Sequence, residues 1–88
     1  MNTYKDTAKK YLARFAKPAR KSMKLTQDKI AEKLRITSRS YGALERGEGG
    51  FSTPTLLLFL GLLSDDEILD VVKGFQKEVD RAENSGAE

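Results

Sequence analysis

The chain has 88 residues and a formal net charge of +3, and it contains no cysteine and no histidine. A chain of this length holds one small domain, and its composition excludes disulfides, cysteine nucleophiles, histidine bases and thiolate or imidazole metal sites. The longest apolar run, residues 56–63, is too short to span a membrane, and the N-terminus lacks the apolar segment of a signal peptide. We therefore expect a cytoplasmic protein that is not an enzyme and that carries no cofactor or metal.

Basic charge is concentrated at the front of the chain. Residues 1–24 contain eight basic side chains and one acidic, residues 25–47 contain five and three, and residues 48–88 contain three and nine. The net charge therefore changes from +7 through +2 to −6 along the chain. A basic front half can attract a polyanion that an acidic rear half repels.

Residues 4–23 predict one long helix, because their apolar side chains recur at steps of three and four residues. Pro18 lies inside this stripe, where it removes a backbone donor and clashes with the preceding turn. We expect a kink or a break near Ala16 and Lys17. Because the stripe keeps its phase across the proline, the pattern favours a kinked helix over two separate helices.

Two short helices are predicted next. Thr26 is in position to cap a helix over residues 27–34, and Thr37 or Ser38 is in position to cap a second one. The second helix is expected to run to the residue before Gly47, which stands where glycine commonly ends a helix. The side chains expected to face the core are Ile30, Ala31, Leu34, Tyr41 and Leu44.

The rear of the chain is predicted to hold a flexible loop, residues 48–51, and two further helices. Thr53 is expected to cap a helix over residues 55–63, which is apolar nearly all round and should be the most buried element. Ser64 and Glu67 form a capping box that opens the last helix. The apolar stripe of that helix consists of Ile68, Val72, Phe75 and Val79.

The stretch 25–47 resembles the helix-turn-helix family of phage repressors, Cro proteins and Xre-like regulators. The matching pieces are Leu25-Thr26-Gln27, Ile30-Ala31, Leu34, Ile36-Thr37-Ser38-Arg39 and Leu44-Glu45-Arg46-Gly47. The resemblance implies an all-α, five-helix, lambda-repressor-like domain with an extended, Pro-kinked first helix. The expected bounds are 1–83 for this single domain, about 20–63 for its core, 26–46 for the motif and 84–88 for a disordered tail.

The resemblance also implies sequence-specific binding of double-stranded DNA and transcriptional regulation, in a protein of bacterial or phage origin. The front of the second motif helix, the recognition helix, enters the major groove in this family. Base contacts are then expected from Thr37, Ser38, Arg39 and Ala43, and phosphate contacts from Gln27, Arg35 and Arg46. Arg39, the only long donor at the helix front, is suited to guanine O6 and N7. The resemblance pairs Arg20 with Glu45 as a structural ion pair.

Departures from the family pattern keep a second interpretation open. Arg35 stands where the turn usually has glycine, which requires a left-handed residue or a different turn geometry. Glu48 puts a carboxylate into a loop that is often basic, while Gly42 and Ala43 offer almost no hydrogen bonding. The alternative function is a protein-interaction module of the same fold, such as an antitoxin-like protein with weak or no DNA binding.

Apolar stripes near both ends of the chain predict a further contact. One is the stripe of the last helix, and the other consists of Tyr4, Tyr11, Leu12 and Phe15. They are expected to pack on each other or across a dimer, since exposed stripes of this length are rare on monomers. Because the family usually reads DNA with two recognition helices one helical turn apart, we expect a homodimer.

Overall fold

The computed structural model describes residues 3–86, and within that range it consists of five α-helices joined by short connections. The helices are α1 (Thr3–Ser22), α2 (Gln27–Leu34), α3 (Ser38–Glu45), α4 (Thr53–Leu60) and α5 (Asp65–Gly86). No strand occurs in these residues, so the expected all-α class is confirmed. No helix among them is long and apolar enough to cross a membrane.

Helix α1 continues without a break past Pro18 to Ser22, so of the two expected outcomes the favoured one, a single helix, is found and the break near Ala16 and Lys17 is not. A proline inside a helix removes one hydrogen bond and crowds the preceding turn. Ala16 and Ala19, on the two sides of the proline, are both buried in the core. Packing of both segments against the same core therefore keeps the helix in one piece.

Helices α2 and α3 begin where their caps predict. Thr26 accepts a hydrogen bond from the backbone N–H of Lys29, and Thr37 accepts one from the backbone N–H of Ser40. The five side chains expected to face inward are all buried. Helix α3 ends at Glu45, one residue earlier than expected, and Gly47 has the expected left-handed backbone with φ 73°.

The turn between α2 and α3 uses a left-handed residue that is not glycine. Arg35 has φ 60° and ψ 39°, and the N–H of Ile36 donates to the carbonyl of Ala31 at 3.0 Å. This closed turn ends α2 and leaves only residues 36 and 37 before α3 begins. An L-residue with a side chain pays a steric cost in this region of backbone space.

Replacing Arg35 by Gly should therefore raise the free energy of unfolding by about 0.5–1 kcal/mol, because relief of the left-handed strain exceeds the entropy cost of glycine. Chemical denaturation measures this change. Arg35→Ala is the matched control, since it removes the same guanidinium but keeps the strain. If Arg35→Gly is no more stable than Arg35→Ala, the turn is not strained.

Helix α4 differs from its prediction in bounds and burial. Its N-cap is Ser52 rather than Thr53, because the Ser52 hydroxyl accepts from the N–H of Thr55, and the helix ends at Leu60 instead of residue 63. It is not the most buried element, since Leu57 is 63% exposed and only two α4 residues, one of them Phe59, are buried. An all-round apolar pattern does not show which face meets the core, and α4 covers only one side of it.

Helix α5 begins with the expected capping box: the N–H of Ser64 donates to Glu67 at 2.9 Å, and the N–H of Glu67 donates to Ser64 at 3.2 Å. In its first half, Val71 is buried whereas Val72 is 55% exposed, so the predicted stripe is wrong at this position. The physical reason is the contact with α1. The Tyr11 hydroxyl donates to the carbonyl of Val71 at 2.8 Å, which turns that face of α5 towards α1.

The two ends of the chain pack on each other through α1 and α5. The rings of Tyr11 and Phe75 lie 5.4 Å apart, and Arg14 pairs with Glu78 at 3.2 Å. A side chain at Gly74 would collide with the Tyr11 hydroxyl, so glycine permits the close approach of the two helices.

The predicted disordered tail, 84–88, falls partly on residues 84–86 of α5 and partly on residues 87–88, outside the described residues.

Candidate nucleic-acid interface

The starts of α2 and α3 supply the outward residues of the motif. Gln27 is the first residue of α2, and Ser38 and Arg39 are the first two residues of α3; all three are exposed. The caps at Thr26 and Thr37 fix where each helix begins and so which side chains stand at its front. Both fronts also carry unpaired backbone N–H groups and the positive end of a helix dipole, which favour an anion.

A hydrogen-bonded cluster around Glu45 ties three helices together behind this front. Arg20 of α1 donates to the Glu45 carboxylate at 2.6 and 3.3 Å, through Nε and Nη2. The Tyr41 hydroxyl donates to Glu45 at 2.6 Å, and the Gln27 amide of α2 donates at 3.0 Å. The ion pair is nearly enclosed, because only 11% of the Arg20 side chain and 5% of the Glu45 side chain are exposed.

Hydrogen bonds keep the Glu45 carboxylate of this cluster ionised. Burial alone would raise the pKa of Glu45, but the hydrogen bonds from Arg20, Tyr41 and Gln27 outweigh burial and hold that pKa below its ordinary 4.5. The hydrogen bond to Glu45 raises the pKa of Arg20, and burial together with Glu45 raises the pKa of Tyr41. At neutral pH the cluster thus contains a carboxylate, a guanidinium and a protonated phenol.

The lowered pKa of Glu45 predicts a loss of stability in acid. The stabilisation is fully present above the ordinary pKa of 4.5 and is lost as the pH falls through the lower pKa of the folded state. Denaturant unfolding of the wild type and of Glu45→Gln, measured from pH 7 to pH 3, should show the difference between them shrinking below about pH 4.5. A difference that stays constant across this range would contradict the role of Glu45 as a charged partner.

Sequence reasoning did not identify two members of this cluster. Tyr41 was expected only in the core and Gln27 only at phosphate. The spacing of Tyr41 and Glu45, four residues apart on one helix, was a signal for their contact. Gln27 lies 18 residues from Glu45, and no local pattern indicates their hydrogen bond. The bond occupies one amide N–H of Gln27 and leaves the other, with the backbone N–H, available.

The four residues expected to contact bases differ in whether their side chains are free to do so. The Thr37 hydroxyl accepts from the N–H of Ser40 and donates to the Ser40 hydroxyl, both at 3.0 Å, so it is occupied in capping α3. The Ser38 hydroxyl donates to the Asp28 carboxylate of α2. The Arg39 side chain is exposed and makes no hydrogen bond or ion pair within residues 3–86. Ala43 is half-buried beside Gly49, behind the helix front.

The arginines expected at phosphate lie in two separate places. The Arg46 guanidinium lies over Gly42, on the same side as Gln27, and pairs with Glu48 at 3.0 Å. A methyl group at Gly42 would stand 3.0 Å from Arg46 Nη1, so the glycine makes room for this arginine. Arg35 lies at the other end of α2, where its guanidinium donates to the carbonyl of Lys33 at 2.6 Å.

Comparison with known families identifies this arrangement. A family model described as Helix-turn-helix matches residues 17–63, which include Arg20, the whole motif and α4. No curated protein and no solved structure matches the chain. The matched segment covers more than half of the 88 residues. The chain therefore belongs to the Xre-like helix-turn-helix family of DNA-binding transcription regulators.

Proposed function

We propose that this protein binds double-stranded DNA in a sequence-specific manner and regulates transcription in a bacterium or phage. The observation that carries the proposal is Arg39, an exposed guanidinium without a partner in residues 3–86, at the front of α3. In the major groove, a planar guanidinium can donate to O6 and N7 of one guanine at the same time. The family membership supplies the geometry, in which the front of α3 enters that groove.

The residues expected to contact the DNA phosphates support the same docking of α3. Gln27 keeps one amide N–H and its backbone N–H free, and together these suit one phosphate at the start of α2. Arg46 lies on the same side and would contact a phosphate after its ion pair with Glu48 breaks. Arg35 would reach phosphate only from the opposite end of α2. These contacts orient the protein on the duplex without reading its sequence.

Selection of bound sites from random duplex DNA tests the proposal. We expect enrichment of a short site that contains guanine, and binding that weakens with salt by about 0.9 log units of affinity per log unit of salt for each phosphate contact. Failure to bind any duplex would contradict the proposal. Tight capture of a protein partner without DNA affinity would instead favour an antitoxin-like interaction module.

A homodimer is proposed because α5 presents an exposed apolar face beside the α1–α5 contact. Leu69 and Val72 are each more than half exposed on this face. Asp66 lies before this pair, Lys73 and Lys77 follow it, and none of the three forms an ion pair within the described residues. An antiparallel α5 from a second copy would bring the acidic end of one face to the lysines of the other, with the apolar pairs between them.

Light scattering or sedimentation at increasing protein concentration tests the dimer. Val72→Lys should shift the protein to monomer, because it puts a charge into the apolar centre of the contact. Leu57→Lys is the matched control, since it makes the same kind of change at an exposed residue of α4. A wild-type protein that remains monomeric at high concentration would rule out the dimer.

A further inference from the structure

Asp28 of α2 engages the hydroxyl of Ser38, the first residue of α3. Ser38 Oγ donates to Asp28 Oδ1 at 2.5 Å. An ionised carboxylate can only accept hydrogen bonds, so the single hydroxyl proton of Ser38 lies in this bond. The oxygen of Ser38 still has lone pairs, and it can offer a further partner only an acceptor.

We infer that Asp28 is a specificity-determining residue, which makes Ser38 select adenine or cytosine over guanine or thymine at the base that it faces. In the major groove adenine N6 and cytosine N4 carry donors, whereas guanine O6 and thymine O4 are acceptors. An acceptor-only hydroxyl binds the first pair and is repelled by the second. This inference rests on the proposed docking of α3 in the major groove.

Asp28 is available for this role, because no ion pair holds its carboxylate elsewhere. The neighbouring basic residue on α2, Lys29, pairs with Glu32 instead. No cation of the described chain lies within ion-pair distance of Asp28. Thr26 already caps α2 through the N–H of Lys29, so the carboxylate is not needed as the cap.

At the front of α3, Ser38 and Arg39 are the residues left to contact bases, and they prefer opposite hydrogen-bonding groups. The Thr37 hydroxyl is occupied by Ser40 of α3, both as donor and as acceptor. Arg39 offers only donors and so prefers guanine, whose major-groove edge carries two acceptors. Ser38 and Arg39 are consecutive in sequence. The expected site therefore combines a guanine with a nearby position that favours an amino base, adenine or cytosine.

Site selection with four proteins tests the role of Asp28. The wild type should prefer adenine or cytosine at one position by roughly 3- to 10-fold, the range of one net hydrogen bond. Asp28→Ala should lose this preference, because the freed hydroxyl can donate as well as accept, and Ser38→Ala should lose it at the same position. Glu32→Ala is the control, since it removes another exposed carboxylate of α2 that does not touch Ser38.

The control separates base preference from a general effect of charge, because loss of either carboxylate can raise affinity for DNA by reducing repulsion. All three variants should keep the guanine preference assigned to Arg39. If Asp28→Ala keeps the amino-base preference, or if the wild type prefers guanine or thymine at the position that Ser38→Ala alters, the role of Asp28 is wrong. A wild type that binds no duplex would overturn the proposed function and this inference with it.

Discussion

Replacing Arg20 by Met should lower the free energy of unfolding by about 3–5 kcal/mol, because it leaves a buried carboxylate without its cation. The Glu45 side chain is 5% exposed, and its Oε2 lies 2.6 Å from Arg20 Nε. Tyr41 and Gln27 would still donate hydrogen bonds to this carboxylate, but both are neutral and cannot replace the positive charge. The guanidinium also donates to the carbonyl of Leu25 at 3.0 Å, so the substitution removes a second link, to the connection before α2.

Thermal and denaturant unfolding measure this loss, which for a domain of this size corresponds to a fall in melting temperature of about 12 °C or more. Lys21→Met is the matched control, because it makes a comparable change at the next residue, which is exposed. The control should change the stability by no more than about 0.5 kcal/mol. Small and equal effects of both substitutions would show that the pair does not hold α1 to α3.

Local signals predicted the helices well where the physical cause was local. Thr26, Thr37 and the Ser64–Glu67 box fix helix starts through hydrogen bonds that span three residues. The left-handed turn at Arg35 was also indicated, because the family pattern has glycine there. In each case the residues that decide the conformation lie within one turn of each other in the sequence.

Contacts between distant segments were predicted less completely. The exposure of Leu57 depends on which side of α4 meets the core, and the uniformly apolar sequence of α4 carries no such information. The burial of Val71 instead of Val72 depends on Tyr11, which lies 60 residues away. An error of one position on a helix turns the contact face by about 100°, so small shifts in packing change which side chains are exposed.

The candidate site combines both kinds of information. The resemblance indicated Gln27, Arg39 and the pairing of Arg20 with Glu45, because each stands at a fixed offset within the motif. It did not indicate that Gln27 donates to Glu45, which links the expected phosphate contact to the buried cluster. The amide of Gln27 is consequently held in one orientation before any DNA binds, and this reduces the entropy cost of the contact.

Arg39→Ala should weaken binding to the preferred site by about 1–3 kcal/mol, or roughly 5- to 150-fold, and should flatten the preference at one base pair. The reason is that Arg39 is the only long side chain among the first residues of α3, where Ser38 and Ser40 are its short neighbours. Its guanidinium has no partner to give up within residues 3–86, so the contact with guanine costs no internal ion pair. Affinity measurements and parallel site selection on wild type and variant quantify both effects.

Gln27→Ala provides the comparison that separates base reading from general attraction. A phosphate contact carries no base information, so this variant should bind all sequences more weakly and keep the base preferences of the wild type. Arg39→Ala should do the reverse and affect the preferred site far more than random duplex. Identical base preferences in wild type and Arg39→Ala would mean that Arg39 is only a surface charge. Since Ser38 can add at most one further contact, sequence recognition would then have to come from DNA shape or from a protein partner.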